Sequence, residues 1–218
     1  MGSMTSPSSE SLSEIFNRLD DRVRHVDEER WLSSRYAPAI KRRSLIALYA
    51  FCYELARIRL VVTDPVMGAI RFQWWREALE ELSDGKAREH DTVLALAERL
   101  DHEAFKIESL EQLIEGYELA YETKDRAREP EALLTAIAAK ILADAHSWGE
   151  NIRQLAPHWS ALRRGDAVGV GPEVSPMPSA IRPAIAHFRL RRSWGVCKKP
   201  SSFSKRMSIL LAIMTGRI

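Results

Sequence analysis

The stretch Leu48–Leu82, LYAFCYELARIRLVVTDPVMGAIRFQWWREALEEL, decides the fold of this 218-residue chain. Apolar residues fall on nearly every side of a helix that is predicted from about Arg42 to Val62, which indicates a buried helix. Asp64 followed by Pro65 is typical of an N-cap and a first helical position, so a second helix is predicted to run to the end of the stretch. The sequence therefore predicts two central helices in succession.

Helical periodicity also dominates the rest of the chain, and no stretch alternates apolar and polar residues for long enough to demand a strand. A first helix is predicted to begin among Ser8, Ser9 and Ser11, and later helices are predicted at about Val93–Leu100, Ser109–Lys124, Pro130–Arg153, Ser179–Trp194 and Lys205–Thr215. Residues 165–178 are Gly/Pro-rich and are predicted to form a loop or hinge. These patterns predict an all-α fold of roughly eight helices.

The length is sufficient for one sizeable core, and a single domain is expected over residues 9–218. Residues 1–8 are expected to be a disordered N-terminus, and their MGSM opening is typical of a cloning remnant. Cys52 and Cys197 lie in no CxxC motif or Cys/His cluster, which argues against a disulfide framework and a zinc site. No apolar run approaches the roughly 20 residues that span a bilayer, and a cytoplasmic location is expected.

Charge is distributed unevenly along the chain. The net charge is only +2, yet no acidic residue follows Glu173, whereas nine lysines and arginines do. This asymmetry is typical of a surface for an anionic lipid or an acidic partner, or of a basic face that closes against an acidic one within the fold. Both explanations remain open at this point, and no nucleic-acid partner is expected.

Two phrases in the opening stretch carry a resemblance to a known family. Tyr49, Ala50, Phe51 and Cys52 keep a frame similar to the YAFCR frame of the squalene/phytoene synthase family. Two further motifs, AFxxELAxxR and then IRxQWWR, resemble a divergent branch of the family that includes a mitochondrial complex I assembly factor and bacterial relatives. The first motif is matched by Ala50, Phe51, Glu54, Leu55, Ala56 and Arg59, and the second by Ile70, Arg71, Gln73, Trp74, Trp75 and Arg76. The resemblance implies an isoprenoid-synthase-like helical domain.

The same resemblance implies that both metal-binding motifs of active synthases are lost. Ala56 and Leu60 stand where the first motif has aspartates, and Leu155 and Trp159 stand at the aspartate positions of the second. The family holds Mg²⁺ between carboxylates on facing helices, where the ions neutralise the departing pyrophosphate. No cofactor and no metal ligand are therefore expected.

Four charged residues on the two central helices are candidates for a different kind of site. Glu54, Arg57, Arg59 and Arg71 lie on helices that are otherwise predicted to be buried, and buried charges must be paired. They form either an internal ion-pair network or a metal-free site in which an arginine binds a phosphate or carboxylate. A stripe of glutamates with cation-binding spacing is typical of a solvated helix face; it comprises Glu111, Glu115, Glu118 and Glu122.

The C-terminal segment KRMSILLAIMTGRI, residues 205–218, combines a basic start with many apolar residues. It either lies at a membrane interface, with Lys198, Lys199, Lys205 and Arg206 contacting anionic lipid, or closes the core as a final helix. Both explanations remain open.

The function that this resemblance implies is that of a non-catalytic squalene/phytoene synthase-like protein. It is expected to be an assembly or stability factor for a membrane respiratory complex, or a lipid-phosphate binder, peripheral to the inner membrane. Its expected partners are a membrane surface or a respiratory-complex subunit, or else a prenyl diphosphate or anionic lipid. The alternative is a prenyltransferase that condenses two prenyl diphosphates head to head and uses a relocated Mg²⁺ site, for which carboxylates must face one cavity from two helices.

Overall fold

The computed structural model describes residues 9–100, 102, 104–143, 146–166, 169, 171–194 and 200–218, and within them it contains ten α-helices, four 3₁₀ segments and no strand. The α-helices are α1 Ser9–Val26, α2 Glu28–Ser34, α3 Ala39–Val61, α4 Pro65–Ser83, α5 Asp91–Leu100, α6 Ile107–Glu122, α7 Glu131–Leu142, α8 Gly149–Arg164, α9 Arg182–Ile185 and α10 Ser202–Thr215. The 3₁₀ segments are Arg126–Arg128, His146–Trp148, Ser179–Ile181 and Ala186–Arg192. The predicted all-α fold is confirmed, whereas the prediction for residues 1–8 lies outside the described residues.

Helix α3 is the centre of the fold. Its residues from Ser44 to Cys52 are buried without interruption, and α1, α5, α6 and α7 all pack around it. An uninterrupted apolar run of this kind can be covered only when neighbours surround the helix on all sides. The fully buried apolar side chains of the described residues belong to one core cluster, which extends from Ile15 in α1 to residues of α10.

The start of α4 is fixed by local chemistry, as the sequence predicts. The Asp64 carboxylate accepts a hydrogen bond from the Val66 backbone N–H at 2.8 Å, and Pro65 occupies the first turn. Farther along, α4 packs against α6, and Gly68 provides the space for the Tyr121 ring. Both predicted central helices are confirmed.

Two other helix predictions are corrected. The helix predicted over Pro130–Arg153 is two helices, because α7 ends at Leu142, whose carbonyl accepts a hydrogen bond from Lys41 Nζ, and α8 begins only at Gly149. The segment predicted as one helix over Ser179–Trp194 is mostly 3₁₀, with α9 as a single α-helical turn. The short helix α2, opened by its N-cap Asp27, is an addition.

Candidate functional site

A cavity of about 220 Å³ opens beside the C-terminal half of α3 and is closed by α2, α6, α7 and α8. The predicted motif positions Ala56 and Leu60 both line it, and Leu60 is exposed at its edge. Six arginines but only three carboxylates line the same cavity; they are Arg30, Arg57, Arg59, Arg126, Arg163 and Arg164, with Asp27, Glu129 and Glu131. The cavity is therefore strongly cationic.

The inner wall is built around the buried guanidinium of Arg30. This group forms ion pairs with Asp27 and with Glu131, the first residue of α7, while only 4% of its side chain is exposed. Asp27 is also the N-cap of α2, and it accepts a second guanidinium bond from Arg163 Nη1 at 2.9 Å. Burial alone would raise the pKa of Asp27, but Arg163 and Arg30 lower it well below its usual value. The Asp27 carboxylate therefore stays ionised at neutral pH.

The outer edge of the cavity carries three arginines, of which Arg59 is held closely and Arg57 and Arg126 are held less firmly. Arg59 forms an ion pair with Glu129 at 2.6 Å, and Arg126 lies 3.6 Å from the same carboxylate. Arg57 lies 3.6 Å from Glu54, and about half of its side chain is exposed. At these distances Arg57 and Arg126 keep N–H donors that have no close acceptor in the described part of the chain.

Three of the cavity-lining side chains, Tyr49, Cys52 and Tyr117, carry buried O–H or S–H groups that are held protonated. Burial raises the pKa of Tyr49, Cys52 and Tyr117 far above their ordinary values, so none of them is a base or nucleophile at neutral pH. The Tyr49 hydroxyl oxygen is buried and has no hydrogen-bond partner among the described residues. Its ring lies against Arg30, whose guanidinium carbon is 5.8 Å from the ring centroid.

The second pair of predicted motif positions lies elsewhere. Leu155 and Trp159 are fully buried in the core, where Trp159 packs against His187 with ring centroids 5.1 Å apart. The residues of α8 that line the cavity are Ser160, Arg163 and Arg164. The face of α8 that is opposite the α3 motif positions is therefore cationic, with Arg164 Nη1 held by Ser160 Oγ at 2.7 Å.

The residues of this cavity do not fit Mg²⁺. Hard divalent cations need several unshared carboxylate or carbonyl oxygens, whereas Asp27, Glu129 and Glu131 are each bound to arginine. Nowhere in the described ranges do three or more His, Cys, Asp or Glu side chains come together in a way that could hold a metal ion. Glu118 of the α6 stripe pairs with Arg76, while Glu111, Glu115 and Glu122 face solvent.

The four charged residues predicted on the central helices do not form one site. Glu54 pairs with Arg22 of α1 at 2.8 Å and more loosely with Arg57. Arg57 and Arg59 line the cavity, whereas Arg71 is exposed and lines a separate pocket beside Trp74, which Glu54 and Arg57 also line. The structure thus divides the set between the cavity and the outer side of α3 and α4.

The predicted membrane contacts at the C-terminus are also divided. Lys205 points inwards, where its Nζ contacts Glu28 at 2.7 Å and Glu29 at 2.6 Å, so its charge serves the fold. Burial would lower the pKa of Lys205, but these two hydrogen bonds raise it instead. Arg206 is exposed, and Lys198 and Lys199 lie outside the described residues. Among the described helices, none is long and apolar enough to cross a membrane.

Sequence reasoning missed the inner wall of the cavity. Asp27, Arg30, Glu131 and Arg163 belong to charged segments that look solvated when taken singly. The only local signal was Asp27 as a capping residue before Glu28 and Glu29, which marks the start of α2. The pairing itself joins residues more than a hundred positions apart, so no spacing rule could have revealed it.

Comparison with known proteins gives two findings. The sequence model of the squalene/phytoene synthase family matches residues 23–135, just over half of the chain. The protein called NADH dehydrogenase (ubiquinone) complex I, assembly factor 6 is similar over 60 residues, with 40% identity in Rattus norvegicus and 37% in Homo sapiens. That match covers 28% of this chain and 18% of each relative. No solved structure gave a significant match.

Proposed function

The chain belongs to the squalene/phytoene synthase family, and from that premise we propose that it is a non-catalytic member that assists the assembly or stability of a membrane respiratory complex. The protein would keep the helical scaffold of the family, and it would act by binding a partner through its surface rather than by catalysing a metal-dependent reaction.

The main support for the proposed loss of catalysis is that every carboxylate that lines the cavity is paired with an arginine. Asp27 and Glu131 are bound to Arg30, and Glu129 is bound to Arg59. A divalent cation could enter only by breaking these buried pairs, which would leave guanidinium groups uncompensated. With apolar side chains at Ala56 and Leu60, α3 offers no oxygen ligand at its motif positions. This supports a scaffold without the reaction of its family over the alternative of a Mg²⁺-dependent prenyltransferase.

The assembly role rests on the named relatives and on the surface of the molecule. The relatives are called assembly factors of complex I, although the shared region is a small part of their length. An assembly factor needs a surface that binds a partner, and apolar side chains at the α3–α4 corner are exposed; they are Leu60, Val61, Val66, Met67 and Ile70. A respiratory-complex subunit is the partner proposed for this corner.

A membrane surface is the second contact that we propose. The outer face of α10 exposes Phe203, Met207, Leu211 and Met214, with the cationic Arg206 beside them. An apolar helix face edged by basic residues is suited to the interface of an anionic bilayer. The protein would then be peripheral to the inner membrane, on its cytoplasmic side.

Catalytic loss is tested by incubating the purified protein with farnesyl or geranylgeranyl diphosphate and Mg²⁺ and measuring pyrophosphate release. An active member of the family is the positive control. We expect release no faster than in buffer, and turnover that EDTA abolishes would overturn the proposal and favour the prenyltransferase.

The assembly role needs a separate test in the host cell. Deleting the gene should lower the amount of fully assembled respiratory complex in blue-native gels and leave subassemblies behind. Wild-type protein should restore assembly, whereas the variant Met67→Glu/Ile70→Glu should not. Unchanged complex levels in the deletion strain would refute the assembly role.

A further inference from the structure

We propose that the arginine-lined cavity binds the phosphate or diphosphate group of an anionic ligand directly, with guanidinium groups in the place of a divalent cation. The inference rests on the proposed absence of the metal, but it does not depend on the assembly role.

The first support is the charge balance of the cavity. Its six arginines outnumber its three carboxylates, and an excess of positive charge remains after Arg57 and Arg164 are paired with Glu54 and Asp166 outside the lining; the wall around Arg30 is buried. In such a low-dielectric cleft an excess of like charge is unfavourable until an anion enters. A diphosphate carries charge of the right sign and size to compensate for it.

The second support is the set of donors that remain available. Arg57 and Arg126 have only ion pairs of 3.6 Å in the described part of the chain, and Arg163 uses Nη1 for Asp27. The planar guanidinium group presents five N–H donors in a fork that matches phosphate oxygens. These side chains approach the cavity from α3, α8 and the Arg126–Arg128 segment, so they can surround one anion.

The third support is the buried hydroxyl of Tyr49. Only 4% of this residue is exposed, and its oxygen has no hydrogen-bond partner among the described residues. Buried polar atoms are nearly always paired, so an orphan group that lines a cavity calls for a bound partner. Because burial raises the pKa of Tyr49, the hydroxyl keeps its proton and can donate a hydrogen bond to a phosphate oxygen. The cavity, at about 220 Å³, also has several times the volume of one water molecule.

An adjoining groove suggests what the phosphate group is attached to. This groove of about 630 Å³ shares Arg59 and Arg126 with the cavity, and apolar side chains including Val62, Pro65 and Phe72 line it. A ligand with its phosphate at the arginines can therefore place an apolar tail against this surface. The ligand class is a phosphate-bearing amphiphile, either a soluble phosphate ester or the head group of a lipid.

The test is calorimetry of the full chain in EDTA, with inorganic pyrophosphate, geranyl diphosphate and vesicles that contain phosphatidic acid. We expect binding of pyrophosphate without metal, and tighter binding of geranyl diphosphate because of its tail. Arg126→Met should weaken binding about tenfold or more, since a charge-assisted contact is lost. Arg128→Met is the matched control, because Arg128 lies in the same 3₁₀ segment, pairs only with the exposed Asp125 among the described residues, and does not line the cavity.

Tyr49→Phe provides an independent readout. It removes only the unpartnered hydroxyl, so it should weaken binding severalfold while Tm stays equal or rises. Binding of vesicles alone, if Arg126→Met abolishes it, would identify a lipid head group as the source of the phosphate. The proposal is overturned if no probe binds in EDTA, if binding requires Mg²⁺, or if Arg126→Met behaves like Arg128→Met. A normal respiratory complex in the deletion strain would leave this result intact, so the two proposals can fail separately.

Discussion

The carboxylate of Asp27 accepts a hydrogen bond from Arg163 Nη1 at 2.9 Å, although the two residues are 136 positions apart. The same carboxylate caps α2 and pairs with the buried Arg30, so a single aspartate joins α2 to α8 and neutralises the inner wall of the cavity. The fold therefore depends on the Asp27 carboxylate, which lies among the arginines of the cavity wall.

Asp27→Ala should destabilise the protein strongly, because it leaves Arg30 and Arg163 short of their counter-ion and removes a helix cap. Breaking a buried pair in this way costs about 3–5 kcal/mol. Urea denaturation followed by circular dichroism measures the change. Asp125→Ala is the control, since Asp125 also caps a helical segment but is half exposed, and it should cost about 1 kcal/mol. Equal losses in the two variants would contradict the special role of Asp27.

Gly68→Ala should separate α4 from α6. A Cβ atom at position 68 would lie 2.3 Å from carbons of the Tyr121 ring, whose hydroxyl donates to the Asp64 carbonyl at 3.0 Å. Overpacking of this kind costs about 1–3 kcal/mol, which denaturant unfolding can measure. Gly149→Ala is the control, because its nearest neighbour would be 3.9 Å away and a helical alanine is favourable there. If Tyr121→Ala does not reduce the cost of Gly68→Ala, the clash is not its cause.

The sequence predicts those features of the structure that neighbouring residues determine, but not those that depend on contacts between residues far apart in the chain. The start of α4 was predictable, because Asp64, Pro65 and Val66 are neighbours in sequence and make their capping contact locally. The end of α7 was not, because Leu142 receives its hydrogen bond from Lys41, 101 positions away. Apolar periodicity continues past Leu142, so sequence reasoning extended the helix through the break.

The candidate site shows the same division. The resemblance placed Ala56 and Leu60 at the cavity, because α3 keeps the frame of the family. It could not show that Arg163 of α8 lines the cavity while Leu155 is buried in the core, since the rotation of α8 is set by packing. Lys205 was predicted to face a membrane because its acidic partners, Glu28 and Glu29, are remote in sequence.

His187 should make stability depend on pH below neutrality. Its ring is fully buried with no hydrogen-bond partner for either nitrogen among the described residues, and burial, with the charges of Arg30 and Arg163 opposing that of Asp27, lowers its pKa well below the ordinary value. The folded state therefore binds no proton at His187 when the unfolded state does, below about pH 6.5. The free energy of unfolding should fall by about 2 kcal/mol from this residue as pH falls from 7 to 5.

The variant His187→Phe keeps a ring between Trp159 and Phe188 and removes the titrating group. It should flatten the pH dependence between 7 and 5, and it should raise stability at pH 7, because an unpaired buried polar group is removed. Urea unfolding at a series of pH values measures both effects. His102→Phe, at an exposed position, should retain the wild-type profile. A His187→Phe profile as steep as that of the wild type would assign the pH dependence to other groups.

The outer face of α10 should determine attachment to anionic membranes. Met207 and Leu211 are exposed at i and i+4 on this face, and Arg206 lies next to them, whereas Lys205 is engaged with Glu28 and Glu29. Met207→Glu/Leu211→Glu should abolish cosedimentation with vesicles of anionic lipid, because two apolar side chains that each contribute about 1.5–3 kcal/mol on burial are replaced by anions.

Arg206→Gln should weaken attachment more at low salt than at high salt, since screening reduces the contribution of its charge. Leu119→Glu, on α6, introduces the same charge at another exposed apolar position and should sediment like the wild type. Wild-type protein that stays in the supernatant at low salt would refute membrane attachment through this face.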